Sequence, residues 1–310
     1  MSPRDTTRPE KLLLLDTASL YFRAFYGVPD KVKAPDGTSV NAVRGLLDMI
    51  AKLVTTYEPT RLVACWDDDW RPAWRVDLLP SYKAHRVVEA IPAGTDVEEV
   101  PDPLEAQIPV IREVLAALGI PVVGAAEHEA DDVIGTLATR ADAPVDIVTG
   151  DRDLFQLVDD ARGIRVVYTA RGMSNLEIVD DATVVSKYGV HAEQYADFAA
   201  LRGDPSDGLP GVPGIGEKSA ATLLGAHGSL DGIRSAVADS TGGTPAQRAK
   251  IAGASDYLDV APTVVRVARD LTLAPFDDRL GSVDQAAALA LAETWNLGTA
   301  MTRALAAVSR

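Results

Sequence analysis

The sequence predicts an α/β fold with a central, mainly parallel sheet flanked by helices, followed by an all-helical lobe. Up to about residue 182, short apolar runs typical of buried strands alternate with segments of helical periodicity, which is the pattern of a parallel sheet with crossover helices. From about residue 183 the strand pattern stops, and helical segments joined by glycine-rich turns continue. We therefore predict a core over residues 1–182 and a helical lobe over residues 183–310.

The predicted elements follow one another along the chain. The first strand is the run of leucines at residues 12–15, and an amphipathic helix follows because apolar residues recur at steps of three and one between Val40 and Val54. The other strands of the core are predicted at residues 62–66, 120–123, 145–148, 166–168 and 176–179, and its other helices at residues 104–118 and 131–140. In the lobe, helices are predicted at residues 193–202, 217–224, 247–258, 262–270, 285–295 and 300–308.

Composition limits the class of protein. A chain of 310 residues that is 47% hydrophobic can bury a large core. It has neither a run of about eighteen apolar residues nor a signal peptide, which predicts a cytoplasmic protein without a membrane span. The single cysteine, Cys65, fits a reducing compartment because it cannot form an internal disulfide. A net charge of −15 is unusual for a nucleic-acid binder, so such binding would have to rest on local basic patches.

Aspartates follow three of the predicted strands at the point where each strand ends. Asp16 follows the first strand, Asp67 the second, and Asp151 the strand at residues 145–148. Because the carboxyl ends of parallel strands meet at one edge of a sheet, these side chains should converge. Two further acidic groups begin helices that follow strands, Glu129-Ala130-Asp131-Asp132 and Asp151-Arg152-Asp153. A single strand-end aspartate is more often a helix cap or turn residue, but five equivalent positions favour a shared site.

So many carboxylates in one crevice raise each other's pKa unless cations compensate their charge. Oxygen ligands favour Mg²⁺ or Mn²⁺ over zinc, which would bring His or Cys ligands, and none of the four histidines follows such a strand end. A pair of ions about 3.5–4 Å apart stabilises both the attacking and the leaving oxygen of a phosphoryl displacement. The carboxylates therefore predict metal-dependent phosphodiester chemistry.

A glycine-rich hairpin at residues 203–219 lies between two predicted helices of the lobe. It is not a nucleotide-binding loop, because no strand precedes it and Glu217 separates Gly216 from Lys218. Glycines let backbone amides approach a phosphate, and such a hairpin holds duplex backbone without reading sequence. The alternative is an ordinary tight connection between helices. A second unusual segment, residues 71–102, is long and contains several basic and aromatic residues, and such connections are usually functional or disordered.

Taken in order, these motifs resemble the bacterial 5′ nuclease family, which includes flap endonucleases and the 5′→3′ exonuclease region of DNA polymerase I. The resemblance covers most of the chain through Asp16 with Phe22-Arg23, Trp66-Asp67, Tyr82-Lys83-Ala84-His85-Arg86, Glu129-Ala130-Asp131-Asp132, Thr149-Gly150-Asp151-Arg152-Asp153 and the hairpin. It implies a PIN-like core, a helical arch at about residues 71–102, and a helix–three-turn–helix in the lobe. It also implies a structure-directed nuclease that cuts DNA at 5′ flaps and 5′ ends with two metal ions, in replication and repair.

The resemblance further implies roles for individual residues. The principal metal-site acids would be Asp16, Asp67, Glu129, Asp131, Asp151 and Asp153, and the remaining metal-site acids Asp132, Asp204 and Asp207. The catalytic cations would be Lys83 and Arg86 of the arch together with Arg23. DNA would be held by Tyr82, Gly211, Gly214, Gly216, Lys218 and Ser219, and a potassium ion by backbone carbonyls near Val212 and Ile215.

The sequence departs from the family pattern at two places. Asp68 and Asp69 follow the second aspartate, where members often have small or basic residues, and Gly208 stands where many carry Asn. Two alternative functions are a ribonuclease on a related core, which the arch and hairpin oppose, and a catalytically silent junction-binding protein, which the full set of acids opposes. The expected partners are flapped, nicked or 5′-ended DNA and a separate DNA polymerase and ligase. A nucleoid-associated monomer without a polymerase lobe is expected.

Overall fold

A six-stranded sheet forms the centre of the N-terminal part of this computed structural model, which describes residues 9–91 and 95–309. The strands of the chain are β1 (Leu12–Asp16), β2 (Arg61–Cys65), β3 (Val87–Glu89), β4 (Val97–Glu98), β5 (Val122–Val123), β6 (Val145–Thr149), β7 (Ile164–Tyr168) and β8 (Glu177–Val179). In the sheet they are ordered β5-β2-β1-β6-β7-β8, and every pairing is parallel except that of β7 with β8. The predicted mainly parallel sheet is confirmed.

Helices cover both faces of this sheet, which is why its central strands are mostly apolar. The core helices are α1 (Thr17–Gly27), α2 (Asn41–Tyr57), α3 (Ala73–Leu78), α4 (Asp102–Glu105), α5 (Ile108–Ala117) and α6 (Ala130–Arg140). Successive residues of β1 point to opposite faces: Leu13 and Leu15 pack in the layer of α2 and α5, and Leu12 and Leu14 in the layer of α6.

The order of the strands creates a crevice between β1 and β6. From β1 the chain continues outward to β2 and β5, whereas from β6 it continues in the opposite direction to β7 and β8. In open α/β sheets, ligands bind beyond the carboxyl ends of the strands at such a switch point. Asp16 ends β1 and Asp151 follows β6, so both stand at this crevice.

The segment predicted as an arch combines several short elements in its described residues. Helix α3 is followed by a 3₁₀ turn at Ala84–Arg86, and β3 and β4 then pair as a separate antiparallel ribbon. Residues 92–94, within the predicted arch, lie outside the described part of the chain.

The C-terminal part is helical. Its helices are α7 (Asp181–Tyr188), α8 (Tyr195–Arg202), α9 (Glu217–His227), α10 (Leu230–Ala238), α11 (Pro245–Gly253), α12 (Ser255–Val265), α13 (Gln285–Thr294) and α14 (Gly298–Val308). Two helix predictions were wrong here. The predicted helix at residues 247–258 is two helices that break at Ala254, and residues 266–270 are not helical, since α12 contains Pro262 and ends at Val265. Helices α7 and α10 were not predicted.

The last two helices return to the α/β core. Residues of α13 and α14, including Ala288, Met301 and Ala304, belong to the same buried cluster as α2 and α5. The boundary between residues 182 and 183 stays a prediction, and these two helices pack on the core although they follow the helical lobe in sequence. No described helix is both long enough and apolar enough to cross a membrane.

Candidate active site

A cavity of about 240 Å³ lies at the carboxyl ends of β1, β2 and β6. Six carboxylates line it together with two basic side chains, and these residues are Asp16, Asp67, Glu98, Glu129, Asp131, Asp151, Lys83 and Arg86. Except for Glu98, all of them were predicted as site residues. A larger cavity beside Arg162 and Arg269 is lined by other acids, Asp159, Asp160, Asp181 and Glu193, and by none of the predicted site residues.

The strand-end aspartates also cap helices. Asp16 is the N-cap of α1, where its Oδ1 accepts a hydrogen bond from the Ser19 amide at 3.1 Å. Its Oδ2 accepts a second bond from the Thr149 hydroxyl at 2.7 Å. Asp67 accepts a bond from the Ala130 amide at 2.8 Å, at the N-terminus of α6. Structural and functional interpretations of these residues are therefore compatible, because the cap fixes a carboxylate that still lines the cavity.

Glu129 is held by three side chains from the segment before the ribbon. The Tyr82 hydroxyl donates to Glu129 Oε1 at 2.6 Å, and Arg75 Nη1 donates to the same oxygen at 3.0 Å. Lys83 Nζ pairs with Glu129 Oε2. Burial alone would lower the pKa of Lys83, but the charge of Glu129, together with those of Tyr82, Asp207 and Asp131, outweighs burial and raises that pKa well above its usual range. Lys83 is thus a cation directly over the acids.

Two predicted site residues are held by protein partners. Asp132 is fully buried and does not line the cavity. Its oxygens accept bonds from Arg75 at 2.7 and 2.8 Å and from the Ala268 and Glu129 amides, donors with which a metal ion would have to compete, and its metal-ligand role stays a prediction. Burial opposes its ionisation, but the hydrogen bonds and charge of Arg75 together with the two amides prevail and lower its pKa. Tyr82 is only 4% exposed and its hydroxyl positions Glu129, and its contact with DNA also stays a prediction.

A second group of acids adjoins the cavity. The Asp153 amide donates to Asp151 Oδ1 at 2.8 Å, while Asp153 Oδ1 is buried without a hydrogen-bond partner. Asp204 pairs with Arg202 at 2.9 Å, and Asp207 with Arg86 at 3.2 Å. A buried carboxylate oxygen without a donor is costly, so this orphaned oxygen fits a site that takes up a cation.

The protein's own cations balance only part of the negative charge of the site. Burial raises the pKa of Asp16 to about 7, and the nearby Asp67 and Asp151 carboxylates add to the effect. Burial and neighbouring carboxylates also raise the pKa of Asp131 and of Asp153 well above the usual range. Mutual repulsion of this kind is what bound divalent cations relieve.

The site fits oxygen-coordinated ions by its chemistry, but its side chains are turned toward protein donors. Within residues 9–91 and 95–309, no group of three or more His, Cys, Asp or Glu side chains is positioned to hold an ion as it stands. Asp16, Asp67 and Glu129 accept hydrogen bonds from Thr149, Ala130 and Lys83. These bonds leave further lone pairs on each carboxylate that a metal ion can use.

Arg23 lies beside the cavity, and the hairpin lies beyond it. Arg23 lines a neighbouring, more apolar cavity with Phe22, and its Nε is buried without a partner. The hairpin connects α8 to α9, with Gly214, Gly216 and Lys218 exposed and Ser219 half-buried; Gly211 is buried. A Cβ at Gly211 would lie 2.5 Å from the Arg202 carbonyl oxygen, so this glycine allows the two sides of the hairpin to approach. The side chains of Val212 and Ile215 are buried beneath the turn.

The two additional acids after Asp67 have different environments. Asp68 is half-exposed, does not line the cavity, and lies 3.8 Å from Arg112. Asp69 is buried and accepts a bond from the Arg71 amide at 3.1 Å, while its own amide donates to the His128 carbonyl. Asp69 therefore stabilises the turn that leads away from β2.

Sequence reasoning missed several residues that shape the site. The Thr149 hydroxyl connects Asp16 to the Asp151 amide, and Ser19 accepts from the Gly150 amide. Thr149 and Ser19 stand within three residues of Asp151 and Asp16, and this proximity is the only signal the sequence offers. Arg75 lies 54 residues from Glu129 in sequence, and no local pattern connects them.

Comparison with known proteins is consistent with this geometry. A family model described as the N-terminal resolvase-like domain of 5′-3′ exonucleases matches residues 11–189, and one described as their C-terminal SAM fold matches residues 190–285. The chain belongs to the 5′-3′ exonuclease family. The predicted resemblance to 5′ nucleases, the fold class and the enzyme class are confirmed.

Relatives cover nearly the whole chain. A 5′-3′ exonuclease of Streptomyces coelicolor is 62% identical over 296 residues, covering 94% of this chain and 98% of the relative. A 5′-3′ exonuclease of Mycobacterium tuberculosis is 54% identical over 278 residues, covering 86% and 87%. DNA polymerase I of Mycobacterium bovis is 40% identical over 290 residues, which span 90% of this chain and 29% of the polymerase.

Solved structures share the fold at low sequence identity. The T5 D15 protein co-crystallised with metal ions has a TM-score of 0.64 at 17% identity, with 96% of this chain and 100% of that chain covered. The catalytic core of Rad2 in complex with a DNA substrate has a TM-score of 0.60 at 18% identity, with 97% and 93% covered. These likenesses extend over both the sheet and the helical part.

Proposed function

We propose that this 5′ nuclease hydrolyses phosphodiester bonds of DNA at 5′ flaps and 5′ ends, in replication and repair. The observation that carries the proposal is the cavity at the switch point, where five strand-end and helix-start carboxylates stand beneath Lys83 and Arg86. This arrangement suits a phosphate that lies between the carboxylates and the two cations. The cations can then stabilise the negative charge that develops on the phosphate oxygens during the reaction.

Divalent ions, Mg²⁺ or Mn²⁺, are the proposed cofactors. The residues that would hold them are Asp16, Asp67, Glu129, Asp131, Asp151, Asp153, Asp204 and Asp207, supported by the raised pKa values and the orphaned Asp153 oxygen. When bound, such ions supply an activated water and charge neutralisation at the leaving oxygen. Asp132 is not included, because its carboxylate is paired with Arg75.

The chain's own cations complete the proposed chemistry. Lys83 stands over the acids and stabilises charge that develops on the transferring phosphate. Arg86, whose guanidinium reaches the Ser206 carbonyl and Asp207, would hold the 5′ strand, and Arg23 would contact a phosphate near the first aspartate. No protein nucleophile is required by this scheme.

The hairpin is the proposed duplex contact. Gly214 and Gly216 expose their backbone, and Lys218 stands in the first turn of α9, where the helix dipole favours a phosphate. Gly211 and Ser219 would support this contact. A potassium ion held by backbone carbonyls near Val212 and Ile215 is proposed on the family resemblance. We further propose that the protein acts as a monomer at the nucleoid in the cytoplasm, beside a DNA polymerase and a ligase.

The test compares Asp151→Asn with Asp68→Asn. Asp151 lines the cavity, whereas Asp68 is a neighbouring acid that does not. With Mg²⁺ or Mn²⁺ and a 5′-flap DNA, Asp151→Asn should lower the single-turnover rate by about 100-fold or more while duplex affinity persists, and Asp68→Asn should cut normally. Equal rates for both variants would refute the metal site. Faster cleavage of an RNA of the same form would favour the ribonuclease alternative, and metal-independent binding without cleavage by the unmodified protein would favour the junction-binding one.

A further inference from the structure

The segment that contains Lys83 and Arg86 contacts the loop that contains Asp204 and Asp207. We name residues 81–86 the arch foot and residues 204–209 the acid loop. The Lys83 amide in the foot donates to the Asp207 carbonyl in the loop at 3.1 Å. Arg86 Nη2 donates to the Ser206 carbonyl of the same loop at 2.8 Å. These bonds join parts of the chain that are about 120 residues apart.

The closest approach between foot and loop occurs at Gly208. A Cβ built on Gly208 would lie 2.0 Å from the Ser81 carbonyl oxygen and 3.3 Å from the Lys83 amide nitrogen. Contacts below 3.0 Å are not tolerated, and here the obstacle is backbone, so no side chain can move aside. The Ser81 hydroxyl closes the contact by donating to the Gly208 carbonyl at 2.7 Å. Gly208 also has a φ of +72°, in the left-handed region.

The acid loop is held in one conformation by its own hydrogen bonds, so it can support the arch foot. Asp204 and Leu209 exchange two backbone hydrogen bonds, at 2.8 and 3.0 Å, which close the loop on itself. The Asp204 side chain accepts from the Ser206 amide at 3.0 Å. If the arch foot lost its contact with this loop, the foot would therefore change position, because the loop is held in place by its own hydrogen bonds.

We propose that Gly208 is a positioning residue, which fixes Lys83 and Arg86 over the carboxylates by letting the acid loop contact the arch foot. In this chain, where the arch foot lies against Gly208, a side chain at position 208 would force the Ser81 carbonyl away by about 1 Å or more, and a displacement of that size at a reacting group can cost about 100-fold in rate. The kinetic consequence rests on the proposed function; the structural one does not.

The experiment compares Gly208→Ala with Gly228→Ala in the full chain. Gly228 has a similar φ of +79°, but a Cβ there meets nothing within 4 Å, so it controls for backbone strain alone. Without divalent ions or DNA, amide exchange of the arch foot should be faster by about 10-fold in Gly208→Ala and unchanged in Gly228→Ala. Single-turnover cleavage of a 5′-flap DNA should fall by about 100-fold in Gly208→Ala and by no more than about twofold in the control. Affinity for blunt duplex should be equal in both variants, because neither change falls within residues 211–219, the part of the hairpin that is proposed to contact duplex.

The outcomes separate the two proposals. If Gly208→Ala matches Gly228→Ala in both exchange and cleavage, the positioning role is overturned. If the unmodified protein cuts no DNA, the proposed function fails, and the exchange comparison still decides the role of Gly208. If Gly208→Ala does not fold, Ser81→Ala decides: loss of one hydrogen bond should speed exchange of the foot and slow cleavage by about 2–10-fold, and wild-type values for both would overturn the proposal.

Discussion

Replacing Arg75 by methionine should lower the free energy of unfolding by about 3–5 kcal/mol, because the change leaves the buried Asp132 carboxylate without its cation. The Arg75 side chain is 3% exposed and donates to Asp132 at 2.7 and 2.8 Å and to Glu129 at 3.0 Å. Asp132 is fully buried and would keep only two backbone amides as donors. Arg75 Nε also donates to the Val264 carbonyl, which would lose that partner. Methionine occupies much of the same volume, so the loss is mainly electrostatic.

Urea unfolding of the metal-free protein, followed by circular dichroism and tryptophan fluorescence, measures this loss. Arg303→Met is the matched control: Arg303 pairs with Asp48 on the surface, where both side chains are about half exposed, and the expected cost is at most about 1 kcal/mol. Adding Asp132→Leu to Arg75→Met should restore part of the stability, because the pair is then removed together. An Arg75→Met protein within about 1 kcal/mol of the wild type would show that the buried pair does not act as described.

Three further predictions concern other parts of the molecule. Lys83→Ala should slow single-turnover cleavage more than it weakens flap-DNA binding, since its charge matters most at the transition state; a wild-type rate would remove Lys83 from the catalytic group. The double change Gly214→Val with Gly216→Val should weaken duplex affinity, because β-branched side chains block the approach of backbone to phosphate, and unchanged affinity in the folded variant would make the hairpin a mere connector. The hydrogen bond and charge of Asp181 raise the pKa of His191 above 6.5, so the stability from this pair is present below pH 6.5 and lost as pH rises through the higher folded value. His191→Ala should therefore destabilise at about pH 5.5 and have little effect at about pH 9, and an equal loss at both would contradict the linkage.

The parallel sheet was predictable because burial on two faces leaves a direct trace in the sequence. The four leucines of β1 are all fully or nearly fully buried, and only a strand covered on both sides tolerates such a run. The helical part was less predictable, because local signals there compete with packing. Pro262 favours a helix start by its chemistry, yet it lies within α12, where Leu258, Ala261 and Val265 are buried.

The acids of the site were predictable from topology, whereas the partners of those acids were not. Asp16, Asp67 and Asp151 are brought together by the strand order alone, so their position at strand ends was sufficient. Asp132 has the same local sequence context as Asp131, and only the fold shows that Asp132 forms an ion pair with Arg75. Residue type and spacing identify which carboxylates can converge, but long-range pairing decides which of them remain available.

The same pairing bears on how a chain with a net charge of −15 can hold a polyanion. Much of the negative charge near the cavity is already matched by the protein's own cations, in the pairs Glu129 with Lys83, Asp132 with Arg75, Asp204 with Arg202, and Asp207 with Arg86. At short range a phosphate is affected by these local pairs more than by distant surface acids, because charges more than about 10 Å away are screened at physiological salt. A phosphate that reached Lys83 and Arg86 would compete with Glu129 and Asp207 for these cations. We therefore expect the position of the arch foot, more than net charge, to determine where the nucleic acid meets the acids.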